Sequence, residues 1–262
     1  RRFPVRVRVI GGAAGGVEAL PAGDACEPEE EGCRRYGYGD AVTFRARWDR
    51  DAARFEGWEG ACSGAEAACT LRIEGPRELQ ARFSAHPRVL RVLREGSGGA
   101  LGALVVEAGT SCGVDCWTFD HGVTATVQAA STDEARPLGW TGCDATPGHR
   151  GYRCDVHLEG DRSVRVAFVR RRTLDVVVAG VGAVGVAGGT PSATVCESTS
   201  SAGVRCPVRV DEGAELRLTA VPRVPRWYFD AWSSGPCLRG PRSCVTRVFA
   251  DAETRATFRE LF

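Results

Sequence analysis

Apolar residues recur at every second position through most hydrophobic segments of the chain. Val5, Val7 and Val9 alternate with Arg6 and Arg8, and Val42, Phe44, Ala46 and Trp48 alternate with Thr43, Arg45 and Arg47. Leu79, Ala81 and Phe83 keep the same rhythm. Side chains two apart on a strand share a face, so the pattern predicts antiparallel strands with one buried and one wet face. Gly, Pro and Asp punctuate the runs. No segment keeps a convincing 3.6-residue period; "DAETRATF" (251–258) imitates a helical turn, but its counterparts elsewhere in the chain are strand-like. The expected fold class is all-β.

The runs follow one order three times. Opening strands "VRVRVI" (5–10), "VLRVLRE" (89–95) and "LDVVVAG" (174–180) each precede a Gly-rich stretch and a cysteine pair. A glycine-led strand comes next: "GDAVTFRARW" (39–48), "GVTATVQA" (122–129) and "GAELRLTA" (213–220). A tryptophan segment follows, "FEGWEGAC" (55–62), "LGWTGC" (138–143) or "FDAWSSGPC" (229–237), then a last cysteine and a closing strand ending in Phe. The last cysteine and the closing Phe are 14 residues apart in all three copies: Cys69 to Phe83, Cys154 to Phe168, Cys244 to Phe258. A period of roughly 85–90 residues is domain-sized rather than solenoid-sized. The expectation is three tandem small β domains, sandwiches or partly open barrels, over residues 1–86, 87–171 and 172–262. Junctions "SAHPRV" (84–89) and "VRRR" (169–172) read as short linkers, the first stiffened by Pro87, which predicts a semi-rigid rod.

Twelve cysteines fall in six local pairs: Cys26/Cys33, Cys62/Cys69, Cys112/Cys116, Cys143/Cys154, Cys196/Cys206 and Cys237/Cys244. Four cysteines per repeat allow three connectivities, of which local pairing is the simplest. The intervening lengths of 6, 6, 3, 10, 9 and 6 residues vary between copies, which a metal site would not tolerate and a loop-closing disulfide does. No C-x-x-C occurs, and no histidine recurs at one register. Six structural disulfides therefore point to an oxidising compartment, and no metal or cofactor is expected. Trp58, Trp140 and Trp232 share one register and read as core plugs beside a disulfide, because three copies need the same core but not the same ligand. Trp48, Trp117 and Trp227 sit at unrelated registers. Trp117, Trp227 and Tyr228 are the candidate ligand-contact aromatics, with one of the adjacent Trp227 and Tyr228 facing outward.

Phe55, Gly57, Trp58, Gly60, Cys62, Cys69 and Phe83 resemble the signature of the divergent internalin-type B-repeat family of bacterial surface proteins. Gly139, Trp140, Gly142, Cys143, Cys154 and Phe168 repeat it with Leu138 in place of the Phe, and the third copy departs further, with Ala231 for a Gly. The resemblance implies extracellular architecture, without enzymatic activity in the domain itself.

Charge adds little: 34 basic residues, all arginine, balance 33 acidic ones for a net charge of +1, which gives no reason to expect nucleic acid. The uncharged stretch 176–196 is interrupted by glycines and a proline and alternates like a strand, so no membrane insertion is expected. With no signal peptide and no Met, the chain reads as a mature product or a fragment. "FDHG" sets Asp120 beside His121, but neighbours on a strand point to opposite faces, against a dyad. The acidic run "EPEEEG" (27–32) reads as a solvated loop tip rather than a calcium loop, and "AGVGAVGVAGG" (179–189) lacks phosphate-binding spacing. The functional expectation is a non-enzymatic extracellular or cell-surface structural module: a spacer, a stalk, or a filament subunit pairing through edge strands such as "VRVRVI". Alternatives are an adhesin or lectin-like module and an accessory region of a larger surface enzyme. The expected partners are protein, by self-association or with other surface proteins, or a cell-surface glycan.

Overall fold

A computed structural model describes residues 1–11, 15–26, 30–144, 152–189 and 193–261. Among these residues strands dominate, and the one helical element is a single 3-10 turn at Gly99–Leu101. The chain divides into two compact units. One comprises Arg1–Arg91, Ala108–Ala125 and Val156–Arg162; the other comprises Val92–Glu107, Thr126–Asp155 and Ser163–Phe262. Residues between 87 and 171 contribute to both.

In the first unit, the opening strand Arg2–Ile10 lies between Cys33–Gly37, antiparallel to it, and the closing strand Arg77–Ala85, parallel to it. Ala53–Gly60 flanks the closing strand, and a second sheet is formed by Gly15–Leu20, Ala41–Trp48 and Ala68–Arg72. The two sheets stay open and close no barrel. Their inner faces supply one core: Val5, Leu79, Ala81, Phe83 and Trp58 from the first, Val42, Phe44 and Ala46 from the second. These are the residues that the period-two pattern assigns to one face. Burying such an alternating face is the main favourable contribution to folding, roughly 25 cal/mol per Å² of apolar surface. The rest of this unit includes the hairpin Thr110–Gly113 and Cys116–Asp120, whose second strand pairs with Pro87–Glu95.

The second unit repeats the arrangement. Leu174–Ala179 of the strand Arg162–Ala179 runs parallel to Ala252–Glu260 and antiparallel to Val204–Asp211, and Trp227–Ser234 flanks the closing strand. A second sheet orders Ala193–Ser198, Gly182–Ala187, Glu215–Val221 and Ser243–Arg247. Leu174, Val176, Val178, Val184, Val186, Leu216, Leu218 and Phe258 form its core.

Three expectations need correction. The opening and closing strands are parallel, although alternation alone suggested antiparallel pairing throughout; a period of two is common to both. The strand that holds "VRVRVI" has a neighbour on each side, Cys33–Gly37 along Arg2–Arg6 and Arg77–Ala85 along Val5–Ile10, so it is internal to its sheet rather than an edge. "VRRR" is not a linker but the middle of the uninterrupted strand Arg162–Ala179, and only His86 separates Arg77–Ala85 from Pro87–Glu95. The arginines of this segment are half-buried and tied into the fold. Arg172 pairs with Glu212 at 2.6 Å, Arg171 donates to Thr132 O, and the Arg170 backbone donates to Ser97 Oγ.

One contact recurs three times. Gly15, Gly102 and Gly182 lie directly under the rings of the closing phenylalanines Phe83, Phe168 and Phe258, where a Cβ would collide with the ring. The outer faces carry arginine–carboxylate pairs between neighbouring strands, such as Arg82–Glu59 at 2.7 Å and Arg205–Asp175 at 3.1 Å. Exposed pairs of this kind contribute little to stability because water and salt screen them.

Candidate functional site

The tryptophan segments are the first place to look for a site, and in the first and third repeats they are packing. Trp58 is 4% exposed and Trp232 1%. Trp58 Nε1 donates to the Glu66 carbonyl at 2.9 Å, and Trp232 Nε1 donates to the Pro241 carbonyl at 2.9 Å. Each acceptor is the fourth residue past the first cysteine of its pair, inside the loop closed by Cys62–Cys69 or Cys237–Cys244. The disulfide thus holds a loop carbonyl against a buried indole N–H, which would otherwise lack a partner. Phe55 meets Trp58 at 5.4 Å and Phe83 at 5.2 Å; Phe229 meets Trp232 at 5.5 Å and Phe258 at 5.8 Å. Trp140 is only half-buried, and Leu138, in the Phe position, is exposed. The loop that would supply the matching carbonyl to Trp140 falls within 145–151, outside the described residues.

All six local cysteine pairs are joined as disulfides: Cys26–Cys33, Cys62–Cys69, Cys112–Cys116, Cys143–Cys154, Cys196–Cys206 and Cys237–Cys244. They differ in exposure. Cys26–Cys33 and Cys237–Cys244 are buried at both ends, whereas Cys112 is exposed on a hairpin whose tip, Val114, is 93% exposed.

The candidate aromatics are divided between the two units. Trp227 and Tyr228 belong to the second unit and Trp117 to the first. Trp227 packs on the third-repeat core and against Gly180, while Tyr228 points outward from the same strand, as alternation requires. Trp117 is half-buried on Cys116–Asp120. Arg259 beside Tyr228 pairs with Asp230 at 2.8 Å, so that exposed strip carries a neutralised ion pair and one phenol.

A cleft of about 560 Å³ lies in the first unit, lined by Phe83, Ala52, Ala53, Asp49, Asp120 and His121 among others. Two turns shape it. Asp49 Oδ1 caps its own turn by accepting the Asp51 N–H at 2.9 Å, and the His121 N–H donates to the His86 carbonyl at 3.0 Å. Arg88 reaches from the following strand to the Asp51 carbonyl and donates a hydrogen bond from Nε to His121 Nδ1 at 3.2 Å. Asp120 and His121 thus line one cleft, although strand alternation predicted opposite faces. The strand ends at Asp120, and His121 already lies in the turn. The imidazole is nevertheless engaged by Arg88 rather than by Asp120, so the pair is no catalytic dyad. The sequence alone did not mark Asp49 and Ala52 as cleft residues, and the one signal available was the Asp-rich turn "WDRDA" (48–52).

The equivalent turn of the third repeat replaces this contact with ion pairs. Glu212 N–H donates to the Arg170 carbonyl, as His121 does to His86, and Glu212 pairs with Arg172 where His121 meets Arg88. Hydrogen bonds from Arg172 and then Ser97 hold the Glu212 carboxyl below its ordinary pKa. Asp211 pairs with Arg136 and raises the guanidinium above its ordinary value. In the first repeat, burial raises the Tyr36 hydroxyl, which donates to the Ala22 carbonyl at 3.2 Å. Among the described residues no group of three or more metal-type ligands gathers, and no helix is long and apolar enough to cross a membrane. His149 and Glu27–Glu29 of the acidic run lie outside the described residues.

No curated protein matches the sequence. Solved structures similar to it include the Bacillus anthracis TIE protein, at 6% identity and a TM-score of 0.35, covering 100% of this chain and 51% of that one. The open conformation of the pilus adhesin SpaC from Lactobacillus rhamnosus GG gives 7% identity and 0.34, over 100% of this chain and 44% of that one. A streptococcal ancillary pilin gives 9% and 0.33, over 99% of both chains. The chain therefore spans about half the length of the first of these. Residues 27–87 match the model of the divergent InlB B-repeat domain, the family whose signature the first repeat carries through Phe55, Trp58, Cys62, Cys69 and Phe83.

Proposed function

We propose that the chain is a non-enzymatic structural module of an extracellular or cell-surface bacterial protein, a spacer or stalk built from three related β domains at 1–86, 87–171 and 172–262. The observation that carries this reading is the consumption of the conspicuous Trp–Cys segments by packing. Trp58 and Trp232 are buried, each hydrogen-bonded to a carbonyl of the loop that its neighbouring disulfide closes. Disulfides at this density persist where the medium is oxidising, which supports an extracellular setting. The B-repeat match over residues 27–87 supports the bacterial surface. The threefold recurrence of the glycine-under-phenylalanine contact supports three copies of one domain. Partners on this reading are other proteins, including further copies of the chain.

Immunogold electron microscopy of the source cells, with antibody raised against this chain, tests the setting. Label on the outer surface is expected, and label confined to the cytoplasm would overturn the proposal.

A further inference from the structure

We propose that the first and third repeats are shear clamps, domains whose two ends are arranged to resist tension along the chain. This deepens the spacer reading by naming its task and rests on that reading only for the biological setting.

The argument starts from strand direction. In the first repeat the opening and closing strands are parallel neighbours over six register pairs, Val5↔Arg77 to Ile10↔Arg82. The third repeat has the same six-pair arrangement, Leu174↔Ala252 to Ala179↔Thr257. Tension enters at the N-terminal end of the opening strand and leaves at the C-terminal end of the closing strand. Those two points lie at opposite ends of a parallel pair, so the force runs along the strands and loads every inter-strand hydrogen bond at once. Antiparallel neighbours would place both points at one end, and the bonds would open singly.

Other contacts oppose sliding. Each clamp is internal to its sheet, flanked by Cys33–Gly37 and Ala53–Gly60 in the first repeat and by Val204–Asp211 and Trp227–Ser234 in the third. Cys33 and Cys206, on the flanks beside the opening strands, are disulfide-bonded, which pins those covers. Arg205 pairs with both Asp175 and Glu253, register partners on the two clamp strands, and so ties them across the outer face. Asp251 Oδ1 accepts the Thr173 N–H at 2.8 Å where the clamp of the third repeat begins. Inside, Val5, Leu79 and Ala81, and Val176, Val178 and Ala256, are all fully buried, so a slip along the axis would draw them out of their pockets. The load reaches the clamp of the third repeat without a compliant tether, because Arg162–Ala179 is one strand.

Single-molecule force spectroscopy on the oxidised full chain tests the proposal through pulling geometry. One preparation carries handles at the two termini. A second carries them at the N-terminus and within the loop 74–76, just before the closing strand, which draws the adjacent N-terminal ends of the first clamp apart and peels it. Near-native circular dichroism and intact disulfides verify that the loop insertion folds. Terminal pulling is expected to give at least two unfolding events at roughly twofold or greater force than peeling, since forced rupture follows the unfolding barrier along the pulled direction. Equal or lower forces in terminal pulling would overturn the clamp. The microscopy of the source cells reads location independently, so a soft domain on a surface protein and a stiff domain in the cytoplasm are separate outcomes.

Discussion

Replacing Trp58 with alanine separates a core plug from a binding platform. The indole is 4% exposed, packs on Phe55 at 5.4 Å, and satisfies the Glu66 carbonyl at 2.9 Å. Truncating a buried tryptophan costs about 3–5 kcal/mol through lost transfer energy and the residual cavity. Trp58→Phe keeps the aromatic contacts but strips the loop carbonyl of its donor, which costs about 1–3 kcal/mol. In a domain of this size each kcal/mol moves the melting temperature by about 4–8 °C. Scanning calorimetry of the oxidised chain should therefore show the first-repeat transition falling by at least ~12 °C in Trp58→Ala and by a smaller step in Trp58→Phe. If both variants melt within about 0.5 kcal/mol of the wild type, as surface substitutions do, the plug assignment is wrong.

Further predictions follow from other contacts. Gly182→Ala places a methyl group 2.6 Å from the Phe258 ring, and overpacking of this kind should cost about 1–3 kcal/mol, read by denaturant unfolding of the third repeat. The double variant Cys62→Ser with Cys69→Ser opens an eight-residue loop and should lose about 2.5 kcal/mol on chain-entropy grounds; an unchanged midpoint would mean the loop is held by other contacts. Glu212 has a depressed pKa through Arg172, so its contribution is complete above the ordinary carboxylate value of about 4.3 and is lost as pH falls through its lowered one. Unfolding curves between acid and neutral pH should accordingly lose part of their acid slope in Glu212→Gln, and identical slopes would contradict the pairing.

Much of this architecture is legible in the sequence, for identifiable reasons. Period-two alternation places Val5, Phe44, Leu79 and Phe83 on buried faces because strand geometry fixes which face each residue takes. Repetition at one register identifies Trp58 and Trp232 as core. Strand direction is not legible, since parallel and antiparallel pairs share the same alternation, and so the clamp appears only in three dimensions. The three arginines 170–172 resemble a solvated linker because charge alone does not reveal partners such as Glu212, which lies 40 residues downstream of Arg172. The cleft beside His121 is likewise invisible, since it joins turns near Asp49 and Asp120 that only folding brings together.

Disulfide mapping of the native protein by non-reducing tryptic digestion and mass spectrometry tests the central claim most directly. Cleavage at arginine leaves Cys26–Cys33, Cys62–Cys69 and Cys112–Cys116 each inside a single peptide, whereas arginines between the other partners separate them into linked peptides. The account predicts six local bridges and no alkylatable thiol. Free thiols in native material, or a bridge joining cysteines of different repeats, would contradict it.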